Sequence, residues 1–450
     1  MRYIFTLAIL LALTVIAFSQ DSVYAKLDAL MKAYTVQDKF SGTVLVAREG
    51  KILLSKGYGY KNQQARSLND TNTLFQIASI TKQFTSTLIL QLVEQGRLQL
   101  SDKLSRFFPD FPRGDSITIE HLLTHTSGID HLTTDVSHLR LPYRGAAAPD
   151  SIRNRFKEQP LDFLPGTKWS YSNAGYVLLG LIIEQRTGLT WFEAVRKNIL
   201  VPLRMKHSGL DFKRLVSADK ATGYYADSSE APTKIPPILD SLEPYAAGAI
   251  YGTATDLYKW HRALQRYALV RQPLMERAYT PLLNHYGYGW IIDSVYGKRG
   301  VSHSGGIFGF RSNLYRVPAD DVCVILLANM ETESRDQITR NLLAIVYGQP
   351  YQLPVKRTAV ILPESVLAGY VGTYQLEVNG LLIDMVLENG RLKGKPQRGP
   401  VSELMALDEM NFYLSDNHEF LIRFEKDATG KVIKLWINNG DKQSAAPKIK

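Results

Sequence analysis

An α+β architecture is expected of this 450-residue chain: one antiparallel sheet assembled from distant segments, helices against it, and a small antiparallel β domain at the C-terminus. Apolar strand-like runs stand near the start, at Gly42-Thr-Val-Leu-Val-Ala47, and far downstream, from Val322 to Asn329. Between them the stretch from roughly Asp130 to Lys234 is helical and loop-rich. After Pro363 only short alternating segments with hairpin turns remain. Strands at both ends of a helical middle imply a single sheet whose strands meet only in three dimensions.

Taken in order, Met1-Arg2, the apolar run Tyr3 to Phe18 and the small-x-small Ala17-Phe18-Ser19 read as a secretory signal peptide over residues 1–19. The run is short for a spanning helix, so no stable membrane insertion is expected after cleavage and the protein is expected to be periplasmic or secreted. A main domain over residues 20–348 follows. It opens with an amphipathic helix, Asp21 to Tyr34, and a hairpin whose strands Gly42 to Ala47 and Ile52 to Lys56 flank a turn at Glu49-Gly50. Ile80 to Gln95 is helical, with Phe84, Leu88 and Leu92 on one face and Gly96 as C-cap. Thr118 opens a short helix to Leu123, with Gly128 available to cap it. Tyr176 to Thr187 and Trp191 to Leu200 are further helices. Strands are expected at Gly287 to Ile292, Gly300 to Gly305, Phe310 to Val317 and Val322 to Asn329, then a helix from Asp336 to Tyr347 with Ser334 as N-cap. Pro350, Pro354 and Pro363 mark a linker over 349–364, and residues 365–450 form a barrel or sandwich.

Composition narrows the function. The one cysteine, Cys323, lies in an apolar run, so no intramolecular disulfide is possible and a buried strand position is expected. The formal charge of +10 is scattered without a basic stripe, which argues against a nucleic-acid partner. No His-Glu-x-x-His or Cys/His cluster stands in the sequence, so neither a metal nor another cofactor is expected. The expected partner is a small-molecule or peptide substrate, a cell-wall peptide among the candidates.

Ser79-Ile-Thr-Lys82 carries the most informative chemistry. A serine at the start of a buried helix meets the dipole's positive end, and a lysine three residues on reaches its oxygen. A desolvated lysine has a lowered pKa and can take the serine proton. Ser217-Ala-Asp-Lys220 matches the same pattern in a polar stretch with no apolar helix behind it, so the pattern alone decides nothing. Tyr171-Ser-Asn173 places a phenol and a carboxamide two residues apart, where an extended loop would aim both into one cleft; a nearby ammonium would ease ionisation of the phenol. His303-Ser304-Gly305-Gly306 reads as a strand edge offering backbone amides to an oxyanion. Tyr60-Lys-Asn62 and His207-Ser-Gly209 mimic these motifs elsewhere, and His125 reads as a structural residue of a helix-ending turn.

In that order, Ser79-Ile-Thr-Lys82, Tyr171-Ser-Asn173 and His303-Ser-Gly305 resemble the three motifs of the serine β-lactamase and penicillin-binding-protein superfamily, in its class C and D-alanyl-D-alanine carboxypeptidase-like branch. Ile119-Glu-His-Leu-Leu-Thr-His-Thr-Ser-Gly128, the string Ala246 to Leu257, Tyr286-Gly-Tyr-Gly-Trp290 and Gly305-Gly-Ile-Phe-Gly-Phe310 add to the likeness, which covers about Asp21 to Tyr347. The resemblance implies a β-lactamase/transpeptidase-like fold: an antiparallel sheet with helices on both faces, an all-helical region, and the site in the cleft between. It implies Ser79 as nucleophile, Lys82 and Tyr171 as the proton-transfer pair, and Asn173 as positioner. The amides of Ser79 and Gly306 become the oxyanion hole, and His303, Ser304 and Gly305 bind substrate. The activity implied is acyl-enzyme hydrolysis of amide or ester bonds by a D-amino-acid peptidase, an esterase or a β-lactamase. A non-catalytic peptidoglycan-binding or sensor protein is the alternative of a different class. Class C β-lactamases carry Lys-Thr-Gly where this chain has His303-Ser304-Gly305, so an imidazolium at His303, charged only at lower pH, is expected to pair with acidic substrates; Arg311 is a second source of positive charge.

Overall fold

A computed structural model describes residues 22–129, 160–225, 233–332, 334–354, 357–397, 401–415, 420–439 and 442–450. The amino-terminal apolar run lies outside the described residues, as do residues 130–159 and 226–232 of the helical, loop-rich middle. At the centre, β1 (Gly42–Arg48) pairs antiparallel with β6 (Val322–Ala328), Gly42 opposite Ala328. The remaining strands are β2 (Lys51–Tyr58), β3 (Ile291–Val295), β4 (Lys298–Ile307) and β5 (Phe310–Val317), and the sheet order is β2-β1-β6-β5-β4-β3. The sheet is thus assembled from both ends of the domain, as expected.

Residues 44–47 and 322–328 of the two central strands are continuously apolar because both faces of the sheet are covered. On one face Val44, Val46, Val324 and Leu326 meet α1 (22–36), through Leu27, Leu30 and Met31, and α8 (Arg335–Val346), through Ile338 and Leu342. The opposite face presents Leu45, Ala47, Cys323 and Ile325 to the larger core. There α2 (Thr81–Glu94) and α7 (Ala254–Gln265) meet at Phe84 and Trp260, which stack with centroids 4.3 Å apart. Truncating a fully buried Phe84 to alanine is a ~3–5 kcal/mol lesion. Cys323 is buried in this layer, and desolvation pushes its thiol pKa up. It is not a nucleophile.

Three expected details differ. The segment read as a strand from Gly287 is a turn closed by Gly287 N–H to Trp290 O, with Gly289 at φ +82°, so β3 begins only at Ile291. Helix α3 (Ile119–Leu123) ends at Thr124 with His125 itself left-handed at φ +60°; Gly128 lies beyond, under the carbonyl of Phe163. Ser334 precedes α8, yet its side chain makes no capping bond.

The C-terminal strands β7 (Gly372–Gln375), β8 (Leu382–Glu388), β9 (Arg391–Pro396), β10 (Ser402–Ala406), β11 (Asn411–Leu414), β12 (Phe420–Lys426), β13 (Val432–Asn439) and β14 (Lys442–Pro447) form an antiparallel meander. Its ends meet: Ile449 N–H donates to Thr373 O at 2.8 Å and Glu377 N–H to Ala445 O at 2.9 Å. These bonds close the meander into a barrel-like domain. Tyr370, Tyr374, Phe412 and Phe424 fill the interior. The short helix α9 (Glu364–Ala368), unread in the sequence, enters it.

Candidate active site

Ser79 stands in a single 3-10 turn, Ala78–Ile80, that leads into α2. Ala78 is held at φ +47°, a conformation that costs a non-glycine residue roughly 1–2 kcal/mol. The turn is held from both sides: Ile77 N–H donates to Ile250 O at 3.0 Å, and Ser312 Oγ donates to Ile77 O at 2.8 Å. Strain beside the nucleophile is therefore over-determined by its neighbours.

One helical turn on, Lys82 is fully buried. Its Nζ lies 3.1 Å from Ser79 Oγ, 2.7 Å from Asn173 Oδ1 and 2.8 Å from Ala247 O. Desolvation holds its pKa well below the usual lysine range. A neutral amine has two N–H donors and one lone pair. The amide oxygen and the backbone carbonyl can only accept, so they take both donors. In that form the lone pair faces Ser79; in the ammonium form Nζ donates to Ser79 Oγ as well.

Tyr171 approaches from the other side, its hydroxyl 2.9 Å from Ser79 Oγ. Burial pushes its pKa up, against the smaller opposing effect of the bond to Ser79. The expected easing of ionisation by Lys82 does not prevail, because burial raises the phenol pKa. The phenol is a donor at this site. Asn173 is also not in an extended loop: it is the first residue of α4 (Asn173–Thr187), capped by Ser172 Oγ accepting from Gly175 N–H.

His125 clamps the tyrosine. Its carbonyl accepts from Ser170 N–H at 3.0 Å and its Nδ1 from Ser172 N–H at 3.1 Å, gripping the backbone on both sides of Tyr171. Its ring lies 4.3 Å from the phenol ring. The only sequence signal for this role was its place in the Ile119 to Gly128 string.

Strand β4 forms the third wall. β3 reaches only to Ile291, opposite Ser302, so among the described residues the outer edge of 303–307 has no neighbouring strand. Gly305 is required here: a Cβ would come 2.4 Å from Ile77 O and 2.3 Å from Ser312 Oγ. At Gly306 a Cβ would meet nothing closer than Arg311 at 3.7 Å.

The expectation for His303 is corrected. The residue is buried, its Nδ1 lies 2.6 Å from Ser304 O and its Nε2 2.8 Å from the Tyr286 hydroxyl. A carbonyl only accepts, so Nδ1 carries the proton and Nε2 accepts from the phenol. Desolvation first, then nearby Lys82, bring its pKa down to about 3. His303 is a neutral brace for the strand edge. Arg311 is also engaged, with Glu331 at 2.8 Å and with the carbonyls of Ile307 and Phe310.

The sequence decoys separate cleanly. Lys220 Nζ donates to Lys213 O and Leu215 O, and Ser217 Oγ accepts from Asp219 N–H. Tyr60–Asn62 is a short strand, and His207 N–H binds Asp256.

A family model described as Beta-lactamase matches residues 27–349. The chain belongs to this family. Among family relatives, Penicillin-binding protein 4* of Bacillus subtilis (strain 168) is 30% identical over 414 residues, covering 86% of this chain and 91% of that protein. Teichoic acid D-alanine hydrolase of Staphylococcus aureus (strain MRSA252) is 28% identical, over 69% of this chain and 74% of that protein. The octameric penicillin-binding protein homologue from Pyrococcus abyssi superimposes with a TM-score of 0.68 at 24% identity, over 94% of this chain and 99% of that one, a likeness of fold. The β-lactamase/transpeptidase fold with a C-terminal barrel is thereby shared. Hydrolases stand among the relatives.

Proposed function

We propose that the protein is an exported serine hydrolase that cleaves amide or ester bonds through an acyl-enzyme on Ser79, acting on small D-amino-acid derivatives. One observation carries this reading: Ser79 Oγ lies between Nζ of the buried Lys82 and the hydroxyl of Tyr171, at 3.1 and 2.9 Å.

In the first step Lys82 Nζ takes the Ser79 proton as Oγ attacks the substrate carbonyl. The backbone N–H groups of Ser79 and Gly306 receive the oxyanion. The proton then returns to the leaving nitrogen or oxygen, through Tyr171 or directly from the Lys82 ammonium. Water then gives a proton to the same pair as it attacks the acyl carbonyl, and that proton passes to Ser79 Oγ as the Oγ–acyl bond breaks. Asn173 Oδ1 and Ala247 O accept from Lys82 in both protonation states, so little has to reorganise when the proton moves.

The open edge of 303–307 supports an extended acyl substrate lying along β4. The D-amino-acid reading draws on teichoic acid D-alanine hydrolase among the relatives. Export draws on the signal-like residues 1–19; among the described residues no helix is long and apolar enough to cross a membrane. A carboxylesterase or weak β-lactamase uses the same constellation. Turnover of D-alanyl-D-alanine peptides, p-nitrophenyl esters and nitrocefin by the wild type, with Ser79→Ala as control, separates these activities. A panel with no turnover, and no phosphonate adduct on Ser79, favours the non-catalytic binding protein.

A further inference from the structure

The carbonyl that accepts from Lys82 belongs to an unusual element. Ala247 lies in the four-residue helix α6 (Tyr245–Gly248), and its first residue, Tyr245, is held at φ +36°. A tyrosine in that conformation needs an external hold. Its hydroxyl donates to Glu184 Oε1 at 2.5 Å, and the same oxygen accepts from Trp191 N–H at 2.8 Å. The Trp191 indole, 5.4 Å from the Tyr245 ring, donates from Nε1 to Thr85 Oγ1 at 3.1 Å. Thr85 Oγ1 in turn donates to Ala246 O at 2.7 Å. The circuit closes through Glu184, Tyr245, Ala246, Thr85 and Trp191, tying α6 to α2, α4 and α5 (Trp191–Val195). Gly180 of α4 makes room for it: a Cβ there would fall 2.7 Å from the Tyr245 ring and 2.5 Å from Ala246 Cβ.

Resting on the hydrolase reading above, we infer that Glu184 and Tyr245 are positioning residues whose circuit aims the Ala247 carbonyl at Lys82 Nζ and so turns the lysine lone pair toward Ser79. Their described side-chain hydrogen bonds join them to each other and to Trp191, not to Ser79 or Lys82. They act through the backbone of α6. If the circuit opens, Tyr245 relaxes from its left-handed conformation, Ala247 O swings away, and Lys82 loses one of the two acceptors that orient it. Acylation slows without loss of the substrate-binding edge on β4, which the circuit does not contact.

The test uses the full chain with a fluorophosphonate probe and a p-nitrophenyl ester, reading labelling stoichiometry, labelling rate, kcat and KM for Tyr245→Phe, Glu184→Ala and Glu184→Gln. Misplacing a catalytic group by about 1 Å costs on the order of 100-fold. Tyr245→Phe and Glu184→Ala are expected to label fully on Ser79 but about 100-fold more slowly, with kcat reduced and KM within about twofold. Glu184→Gln keeps an accepting Oε1 and is expected to restore most of the rate. A Tyr245→Phe protein with wild-type labelling rate overturns the inference. So does a Glu184→Gln protein as slow as Glu184→Ala, or a variant in which stoichiometry falls while the surviving fraction reacts normally, the mark of a purely structural role. Wild-type protein that takes no label on Ser79 overturns the hydrolase reading itself.

Discussion

Tyr286 donates its hydroxyl to His303 Nε2 across 2.8 Å, deep beneath the strand edge that faces Ser79. The other ring nitrogen is committed to Ser304 O, so the imidazole has no nitrogen left for a substrate carboxylate. Where an imidazolium would read acidic substrates by charge, this pair uses a neutral ring to brace a backbone.

The pH dependence of specificity follows. With the His303 pKa brought down to about 3, the ratio of kcat/KM for matched acidic and neutral esters is expected to stay constant from about pH 5 to 8. Parallel pH profiles check it. A limb near pH 6.5 confined to the acidic ester would restore charge pairing at His303.

Stability has its own pH signature. His303, at about 3, and His261, at about 4, are both depressed from 6.5 chiefly by burial. The unfolded chain therefore binds more protons than the native one below pH 6.5. Each histidine's contribution is fully present above that pH and is lost at about 1.4 kcal/mol per pH unit as pH falls toward its folded value. Tm measured between pH 7 and 4.5 is expected to fall, and His303→Asn is expected to flatten the slope. An unchanged slope in that variant contradicts the burial of a neutral ring.

Two adjacent glycines should behave oppositely. Gly305→Ala places a Cβ 2.4 Å from Ile77 O and pushes β4 away from the Ser79 turn. It is expected to lower kcat/KM by at least about 100-fold, the scale of losing an oxyanion donor, and to lower Tm. Gly306→Ala keeps its N–H and has room for the methyl, so less than about tenfold loss is expected. Comparable damage at both positions counts against the close approach at Gly305.

The barrel closes on itself through Thr373 and Ile449, and the three site motifs all precede residue 349. A chain ending at Pro363 is expected to label on Ser79 at a rate within about threefold of the full chain. A truncated chain that folds, by circular dichroism, yet takes no label would make the barrel part of the site.

Much of this was legible in residues that act locally. Ser79 and Lys82 are one helical turn apart, and the central strands declare themselves by apolar runs that both faces bury. What the sequence concealed depends on tertiary burial. The His303 pKa is set by desolvation first and then by Lys82, and the clamp on Tyr171 comes from His125, 46 positions upstream. Gly287 to Ile292 imitated a strand because Tyr288 and Trp290 alternate with glycines; Gly289 at φ +82° breaks the run, and both aromatics are buried by the helical layer instead. The barrel strand Arg391–Pro396 buries only Leu392 and Gly394, and Lys442–Pro447 offers no apolar residue larger than alanine before its proline, leaving too little to stand out.

Covalent chemistry at Ser79 is the centre of the account, and the most direct measurement is peptide-mapped intact mass after reaction with a fluorophosphonate, paired with turnover of a p-nitrophenyl ester by wild type and Ser79→Ala. One adduct on Ser79, together with at least a roughly thousandfold loss of kcat in Ser79→Ala and wild-type turnover in Ser217→Ala, is the expected result. An adduct elsewhere, or near-normal turnover by Ser79→Ala, would contradict it.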